Sequence, residues 1–311
     1  MSRVHTLRFD FQAMASPCSL QIDATDDARV RRAAAAAIVE VRRIEQAYSR
    51  YRNDSIISRI NRSAGTAGVE TDAETASLLD FAGQLHGLSD GLFDITSGVL
   101  RKAWDFKRQR PPQPDVVAAL LPKVGWQKVE RKGRLVRLAE AGMELDFGGI
   151  GKEYAADRAA AVLQAHGVAH ALVNLGGDLH ALGARAVAGR EGNPWQVAIA
   201  HPRAPHGYPD ASIAQLALVR GALATSGDYE RFFIHEGKRY CHILNPLTGM
   251  PVAFWQSVSV LANNATSAGA LSTIAMLKEA DGLKWLDGQG ACYLAVQADG
   301  ALHRHTGASD A

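Results

Sequence analysis

An α+β fold is predicted for this chain of 311 residues by three features: two long segments with helical periodicity, a series of short β-rich runs from Ala171 onward, and 47% hydrophobic content. That much apolar material can bury a large core, as one elaborate domain or two intimate lobes. Residues 7–23 alternate as a strand pair, and Asp26–Asp27 then open a helix whose Val30, Ile38, Val41 and Tyr48 share one face. The Ala33–Ala37 run within it is strong helix former. Residues 72–88 form a second helix by the same periodicity. Residues 107–115 (KRQRPPQPD) read as a basic, Pro-rich surface loop and a candidate lobe boundary within a single unit spanning 1–311. Residues 143–147 read as a strand end and the Ala-rich run from Lys152 as a helix start. Strands follow at 171–175, 195–200, 213–219, 239–244 and 256–261, with a helix at 266–277 and loops at 183–194 and 201–212. The architecture is mixed or antiparallel sheets flanked by helices.

Lys plus Arg at 34 against Asp plus Glu at 32 gives 34 − 32 = +2, too balanced for a surface built to hold nucleic acid. Small or neutral partners are favoured. The opening MSRVHTLRFDF has neither an apolar h-region nor a small-residue cleavage site, and no segment approaches a membrane span. Cys18, Cys241 and Cys292 are widely spaced without a CxxC pair, which fits a reducing cytoplasm and ordinary buried thiols.

The stretch LDFGGIGKEYAAD at 145–157 sets Gly148, Gly149 and Gly151 between an acid and a lysine. Glycines at a strand-to-helix junction permit positive φ and let a ligand approach the main chain, and the free amides of the helix start favour an anion. The spacing is neither GxGxxG nor GxxxxGK[ST], the two commonest phosphate loops. Five further polar clusters punctuate the chain. FQAMASPC at 11–18 sets Met14 beside small residues, and SRYRNDSIISRIN at 49–61 offers Tyr51, Ser55, Ser58 and Asn61 for caps and turns. GLFDITSG at 91–98 puts Asp94 and Thr96 into a strand-like run, where a buried acid needs a partner. NLGGD at 174–178 repeats the strand, paired-glycine and acid pattern. TSGDYERFF at 225–233 and RYCHILNPLTG at 239–249 read as a hairpin carrying Ser226, Asp228, Arg231 and the titratable His242, with a site-lining loop behind it. His303 and His305 read as solvated surface.

In this order, from about Phe11 to Leu277, the clusters resemble the FAD:protein FMN transferase family, also called ApbE-like. The pattern is an opening Met-small-Ser segment, SxxSxxN, GxFDxT, DxGGIxKxYAxD, NxGGD, SGDYER and HIxxPxTG. The resemblance implies a two-lobed α+β fold, tight FAD binding, and Mg²⁺-dependent transfer of FMN to a Ser or Thr of an acceptor flavoprotein, with release of AMP. It implies that Met14, Tyr51, Leu92, Phe93, Asp94, Asp146, Lys152 and Ile243 contact FAD, that His242 is the base, and that the Gly149 carbonyl and Thr273 face the metal.

The chain departs from this pattern at the metal. Gly269 stands where the family usually has an Asp, Ser272 where some members have a second acid, and Asn245 where an Asp is usual. Magnesium needs hard oxygen ligands, usually with at least one carboxylate, so these departures predict weak Mg²⁺ binding. Glu153, where a glycine is frequent, is no obvious replacement by sequence, and positive φ at Gly269 would make any β-carbon there disruptive. The readings that follow are an FMN transferase, a non-catalytic FAD-binding homologue with a defective metal site, or an FAD pyrophosphatase.

Overall fold

The computed structural model of the chain describes residues 3–187, 192–204 and 211–306. Its strands are β1 (His5–Ala13), β2 (Ser16–Ala24), β3 (Val69–Glu70), β4 (Val129–Lys132), β5 (Leu135–Leu138), β6 (Ala171–Leu175), β7 (Asp178–Ala181), β8 (Trp195–Ala200), β9 (Ser212–Leu218), β10 (Gly221–Gly227), β11 (Phe232–His235), β12 (Lys238–Cys241), β13 (Trp255–Ala262), β14 (Cys292–Gln297) and β15 (Leu302–His305). Its α-helices are α1 (Asp27–Tyr48), α2 (Ile56–Arg62), α3 (Ala73–Leu88), α4 (Pro114–Leu120), α5 (Gly151–Ala165), α6 (Ala265–Leu277) and α7 (Gly282–Gly288).

Eight strands form the central sheet in the order β1-β2-β6-β7-β10-β13-β14-β15. Every strand pairing among the described residues is antiparallel. The period of two divides the sheet into two faces. Ala171, Val173 and Leu175 of β6, Ala222 of β10, and Val258 and Val260 of β13 join the core beneath α1, α5 and α6. The alternate residues Leu172, Leu179 and Leu223 turn the other way, where the β8–β9 hairpin covers them with Trp195, Val197 and Ile199. Helices α1 and α5 meet through Ala33, Ala34 and Ala37 on one and Ala155, Ala156 and Ala159 on the other, all fully buried. The alanine run therefore does more than favour helix: it lets two helix backbones approach closely. A smaller three-stranded sheet, β3-β5-β4, packs with α2 and α3, and its Val136 and Leu138 share one continuous core with Ile57, Leu79 and the main sheet. No helix among the described residues is long and apolar enough to cross a membrane.

Several local expectations are corrected. Residues 143–147 are irregular and join no sheet, and their backbone groups bond elsewhere: Leu145 N–H and C=O are both taken by the Asn61 side chain, and Asp146 N–H donates to the Ile95 carbonyl. The segment holding Asp94 and Thr96 is not strand-like. Asp94 caps the 3₁₀ helix Ile95–Lys102, its Oδ1 accepting from both the amide and the hydroxyl of Thr96. His303 and His305 are half-buried on the edge strand β15, His303 against the Trp255 ring and His305 bonded to Asp287. The 239–244 run ends as a strand at Cys241, and parts of the 183–194 and 201–212 loops lie outside the described residues.

Candidate active site

The glycine turn is held from below. Asn61 bonds Leu145 through both amide atoms, at 3.0 and 2.7 Å, and the Gly148 amide donates to Asp146 Oδ1 at 3.0 Å. The expected positive φ is not used: none of Gly148, Gly149 and Gly151 lies in the left-handed region. Their missing side chains serve space instead. A β-carbon on Gly149 would stand 3.1 Å from Cζ of the buried Phe93, and one on Gly98 would stand 2.6 Å from Cβ of Asp146. Leu92, half-buried, packs against the same core.

The left-handed glycines belong to the NLGGD turn, where Gly176 and Gly177 have φ of 61° and 97°. A β-carbon on Gly176 would press on Ser16 Oγ at 2.9 Å and reach Lys152 Cδ at 3.7 Å, so this turn abuts both the Met14 hairpin and the start of α5. Met14 and Ala15 form the two-residue β1–β2 loop with φ of 52° and 57°. Such a primed turn normally recruits Gly or Asn, and the conformation is anchored here by the Met14 amide donating to Glu45 Oε1 at 2.7 Å.

Three cations frame this space. Lys152 forms an ion pair with the buried Asp178 at the first residue of β7. Burial opposes the ammonium charge, but Asp178 and Glu153 outweigh it and hold the Lys152 pKa above the ordinary lysine value. Burial pushes the Asp178 carboxyl up while Lys152 pulls it down. Arg50 is salt-bridged to Asp146, donates to the Tyr51 hydroxyl at 2.8 Å, and lies 5.0 Å from the centre of the Tyr51 ring. Tyr51 itself is 71% exposed, an aromatic surface left open beside the turn. The third cation is Arg231, whose carbonyl accepts from the His242 amide at 3.0 Å.

His242 follows β12 and is open to solvent although densely surrounded. The crowding of its ring, with the charges of Arg231, Lys152 and Arg50, pushes the imidazolium down to about 4, so the ring is a neutral proton acceptor at neutral pH. Beside it the half-buried Ile243 bonds to Val252 through its carbonyl. The loop beyond is fixed by Asn245, whose Oδ1 accepts from the Leu247 and Thr248 amides at 2.9 and 3.2 Å. Asn245 thus performs a turn-closing task for which a side-chain carbonyl suffices. Asp94 Oδ2 meanwhile accepts from the Trp126 amide at 2.9 Å, and Asp94, Pro246 and Leu247 line a cavity of about 240 Å³.

Between β10 and α6 lies a hydroxyl cluster: Ser226 Oγ is 2.8 Å from Ser272 Oγ and 2.9 Å from Thr273 Oγ1, and Ser272 donates to the Gly269 carbonyl at 3.0 Å. Glu153 reaches this wall of α6 from α5, and a β-carbon on Gly269 would lie 2.8 Å from its Oε1. Glu153 is 6% exposed and its Oε2 has no hydrogen-bond partner. Burial, then the nearby Asp178, push its carboxyl up to about 7 against the pull of Lys152. Gly269 itself is helical without positive φ, so the strain expected there is absent and the obstacle to a side chain is Glu153. Asp228 is otherwise engaged, its carboxylate held at 2.6 and 2.6 Å by both terminal nitrogens of Arg203.

The structure brings Asp146, Phe93 and Gly149 together at the glycine turn, sets Lys152 and the Met14 hairpin against the NLGGD turn, and puts Thr273 in the hydroxyl cluster of α6. Sequence reasoning did not single out Arg50 and Asp178, the ion-pair partners of Asp146 and Lys152. Their signals were an arginine next to the selected Tyr51, and the acid closing the NLGGD pattern.

A glycine turn flanked by the Arg50–Asp146 and Lys152–Asp178 ion pairs, with His242 beyond β12, is thus set on an antiparallel α+β scaffold. The chain belongs to the ApbE family, whose match covers residues 14–294. It is 35% identical over 243 residues to the FAD:protein FMN transferase of Treponema pallidum, covering 74% of this chain and 66% of that relative. The fold matches the ApbE protein of Thermotoga maritima with a TM-score of 0.87 at 31% identity, over 96% of this chain and 97% of the other. It matches the apo form of the Pseudomonas stutzeri flavinyl transferase ApbE with a TM-score of 0.84 at 26% identity, over 97% and 95%.

Proposed function

We propose that this chain is an FAD:protein FMN transferase, taking FAD as substrate and a Ser or Thr hydroxyl of a flavoprotein as acceptor. The observation that carries the reading is the placing of Arg50 and Lys152 at the two ends of the glycine turn, Arg50 paired with Asp146 and Lys152 with Asp178, in a chain of the ApbE family. Two side-chain cations at this turn suit a substrate whose diphosphate is anionic, and His242 is the acceptor for the proton its partner must lose. The name of the Treponema relative supports the reading.

In this mechanism Lys152 and Arg50 meet the diphosphate, while Tyr51 and Met14 offer an aromatic face and a thioether to the flavin. His242 accepts the proton of the acceptor hydroxyl. The acceptor oxygen bonds to the FMN-side phosphorus, the bond from that phosphorus to the bridging oxygen breaks, and AMP leaves with the bridging oxygen. A bound Mg²⁺ would neutralise charge on the phosphate oxygens, and the Gly149 carbonyl and Thr273 hydroxyl are the residues the family resemblance assigns to it. The unpartnered, buried Oε2 of Glu153, whose side chain lies against Gly269 of α6, fits such a cation.

The test mixes the protein, FAD and Mg²⁺ with and without a flavin-acceptor domain, and follows AMP and protein-bound flavin. Transfer requires both products in equal amount and only with acceptor. AMP with free FMN and no acceptor would mark a pyrophosphatase, and FAD binding without AMP a non-catalytic homologue.

A further inference from the structure

We propose that Glu153 is the protein carboxylate of the divalent-cation site, reaching it from α5 through the space left by the absent side chain of Gly269 on α6. The inference rests on the transferase reading for the identity of the diphosphate substrate, and on three local observations for the acid itself.

The first is satisfaction. Glu153 is 6% exposed, and Oε2 has no donor within the protein. A buried carboxylate oxygen without a partner is costly, and a proton or a cation removes the cost. The adjacent Lys152 directs its ammonium to Asp178 and makes no hydrogen bond to this oxygen. The second is company. Gly269, which the Glu153 side chain touches, accepts from Ser272, and Ser272 and Thr273 share the Ser226 hydroxyl. The acid therefore adjoins hydroxyl oxygens that keep lone pairs for a hard cation. The third is reciprocity. Any β-carbon at 269 would collide with the Glu153 carboxyl group, so the two positions admit one side chain between them. The carboxylate missing from position 269 of α6 is supplied by Glu153 of α5.

No group of three or more His, Cys, Asp or Glu able to hold a metal occurs among the described residues. A cation at Glu153 would complete its shell from carbonyl, hydroxyl, water and substrate phosphate oxygens, the habit of Mg²⁺.

The experiment titrates Mn²⁺, detected by electron paramagnetic resonance, into the wild type, Glu153→Gln and the double variant Glu153→Gly/Gly269→Asp, each alone and with saturating FAD. Glu153→Gln should weaken Mn²⁺ binding about tenfold or more in both arms, and the double variant should recover most of the loss. Flavin binding is read separately, by quenching of flavin fluorescence without metal. Failure of that binding would sink the transferase reading, and the Mn²⁺ titration on the protein alone would still decide the role of Glu153. Unchanged Mn²⁺ affinity in a folded Glu153→Gln variant overturns the inference. Should Glu153→Gln not fold, the double variant decides: wild-type affinity supports an acid shared between the two positions, and loss of Mn²⁺ binding in the folded double variant overturns it.

Discussion

Glu153 and Gly269 occupy one volume from opposite helices: a β-carbon on Gly269 would lie 2.8 Å from Glu153 Oε1 and closer still to its Cγ. Gly269 sits in the middle of α6, where exchange for a residue with a β-carbon would ordinarily improve helix propensity by up to about 1 kcal/mol. Gly269→Asp alone should instead destabilise the protein by about 1–3 kcal/mol, through overpacking and a second carboxylate beside the first. Adding Glu153→Gly should remove most of that loss. Urea unfolding of the two single variants and the double gives the coupling, and strictly additive effects would show that the two positions do not share space.

Strand and helix positions were legible wherever burial is periodic: α1 and α3 show one apolar face each, and β6 and β8 coincide with the expected runs. The segments that were misread are those whose backbone is satisfied by side chains. Residues 143–147 carry the apolar content of a strand, but Asn61, a distant residue, takes the bonds a neighbouring strand would take. The 91–98 run is apolar enough for a strand, but Asp94 caps it into a 3₁₀ helix. The site was legible as motifs and not as pairings. Nothing local in the sequence shows that Glu153 meets Gly269, or that Arg50 pairs with Asp146, because each contact is made across the fold.

Lys152 has two tasks, and its replacement should show both. Its Asp178 partner is buried, with only 3% of its side chain exposed, whereas the Lys152 side chain is 31% exposed. Lys152→Ala should therefore cost on the order of 2 kcal/mol of stability, between the values for surface and buried pairs. Lys152→Ala/Asp178→Asn should recover stability without recovering FAD affinity. Thermal unfolding and flavin titration separate the two effects, and recovery of FAD affinity in the double variant would remove Lys152 from the binding site.

Asp157 fastens α6 to α5 and so sets Gly269 against Glu153. Its carboxylate accepts from the Ala265 and Thr266 amides at 2.7 and 2.9 Å and from the Thr266 hydroxyl at 2.5 Å, with His180 at 2.6 Å. Burial raises this carboxyl, but the bonds from His180 and Thr266 prevail and hold it below the usual carboxylate range. Its contribution is therefore present above the unfolded aspartate pKa and lost as pH falls through the depressed value. Asp157→Ala should cost about 2–3 kcal/mol at neutral pH, with a smaller difference from wild type in acid. Denaturant unfolding at neutral and acidic pH measures it, and a difference that does not shrink in acid would contradict a charged cap.

His242 gives the sharpest dependence on pH. Its imidazolium is pushed down to about 4 by desolvation, then by the Arg231 charge, with lesser help from Lys152 and Arg50, against an opposing bond to the Arg231 backbone that outweighs either of those two. In the unfolded chain the ring takes a proton near its ordinary value of about 6.5, so between that pH and 4 the unfolded state binds more protons and the fold loses stability as pH falls. Above about 6.5 the ring is neutral in both states and contributes no pH dependence. For transfer, the acid limb of kcat/KM reports the free enzyme, and it should lie near 4. The limb of kcat should move to higher pH, because bound diphosphate offsets the three cations and makes the imidazolium easier to form. His242→Asn should lower transfer by roughly 10²–10⁴-fold and leave FAD affinity largely intact. An acid limb of kcat/KM at the ordinary histidine value would show that these cations do not act on the ring, and full activity in a folded His242→Asn variant would assign the proton to another acceptor.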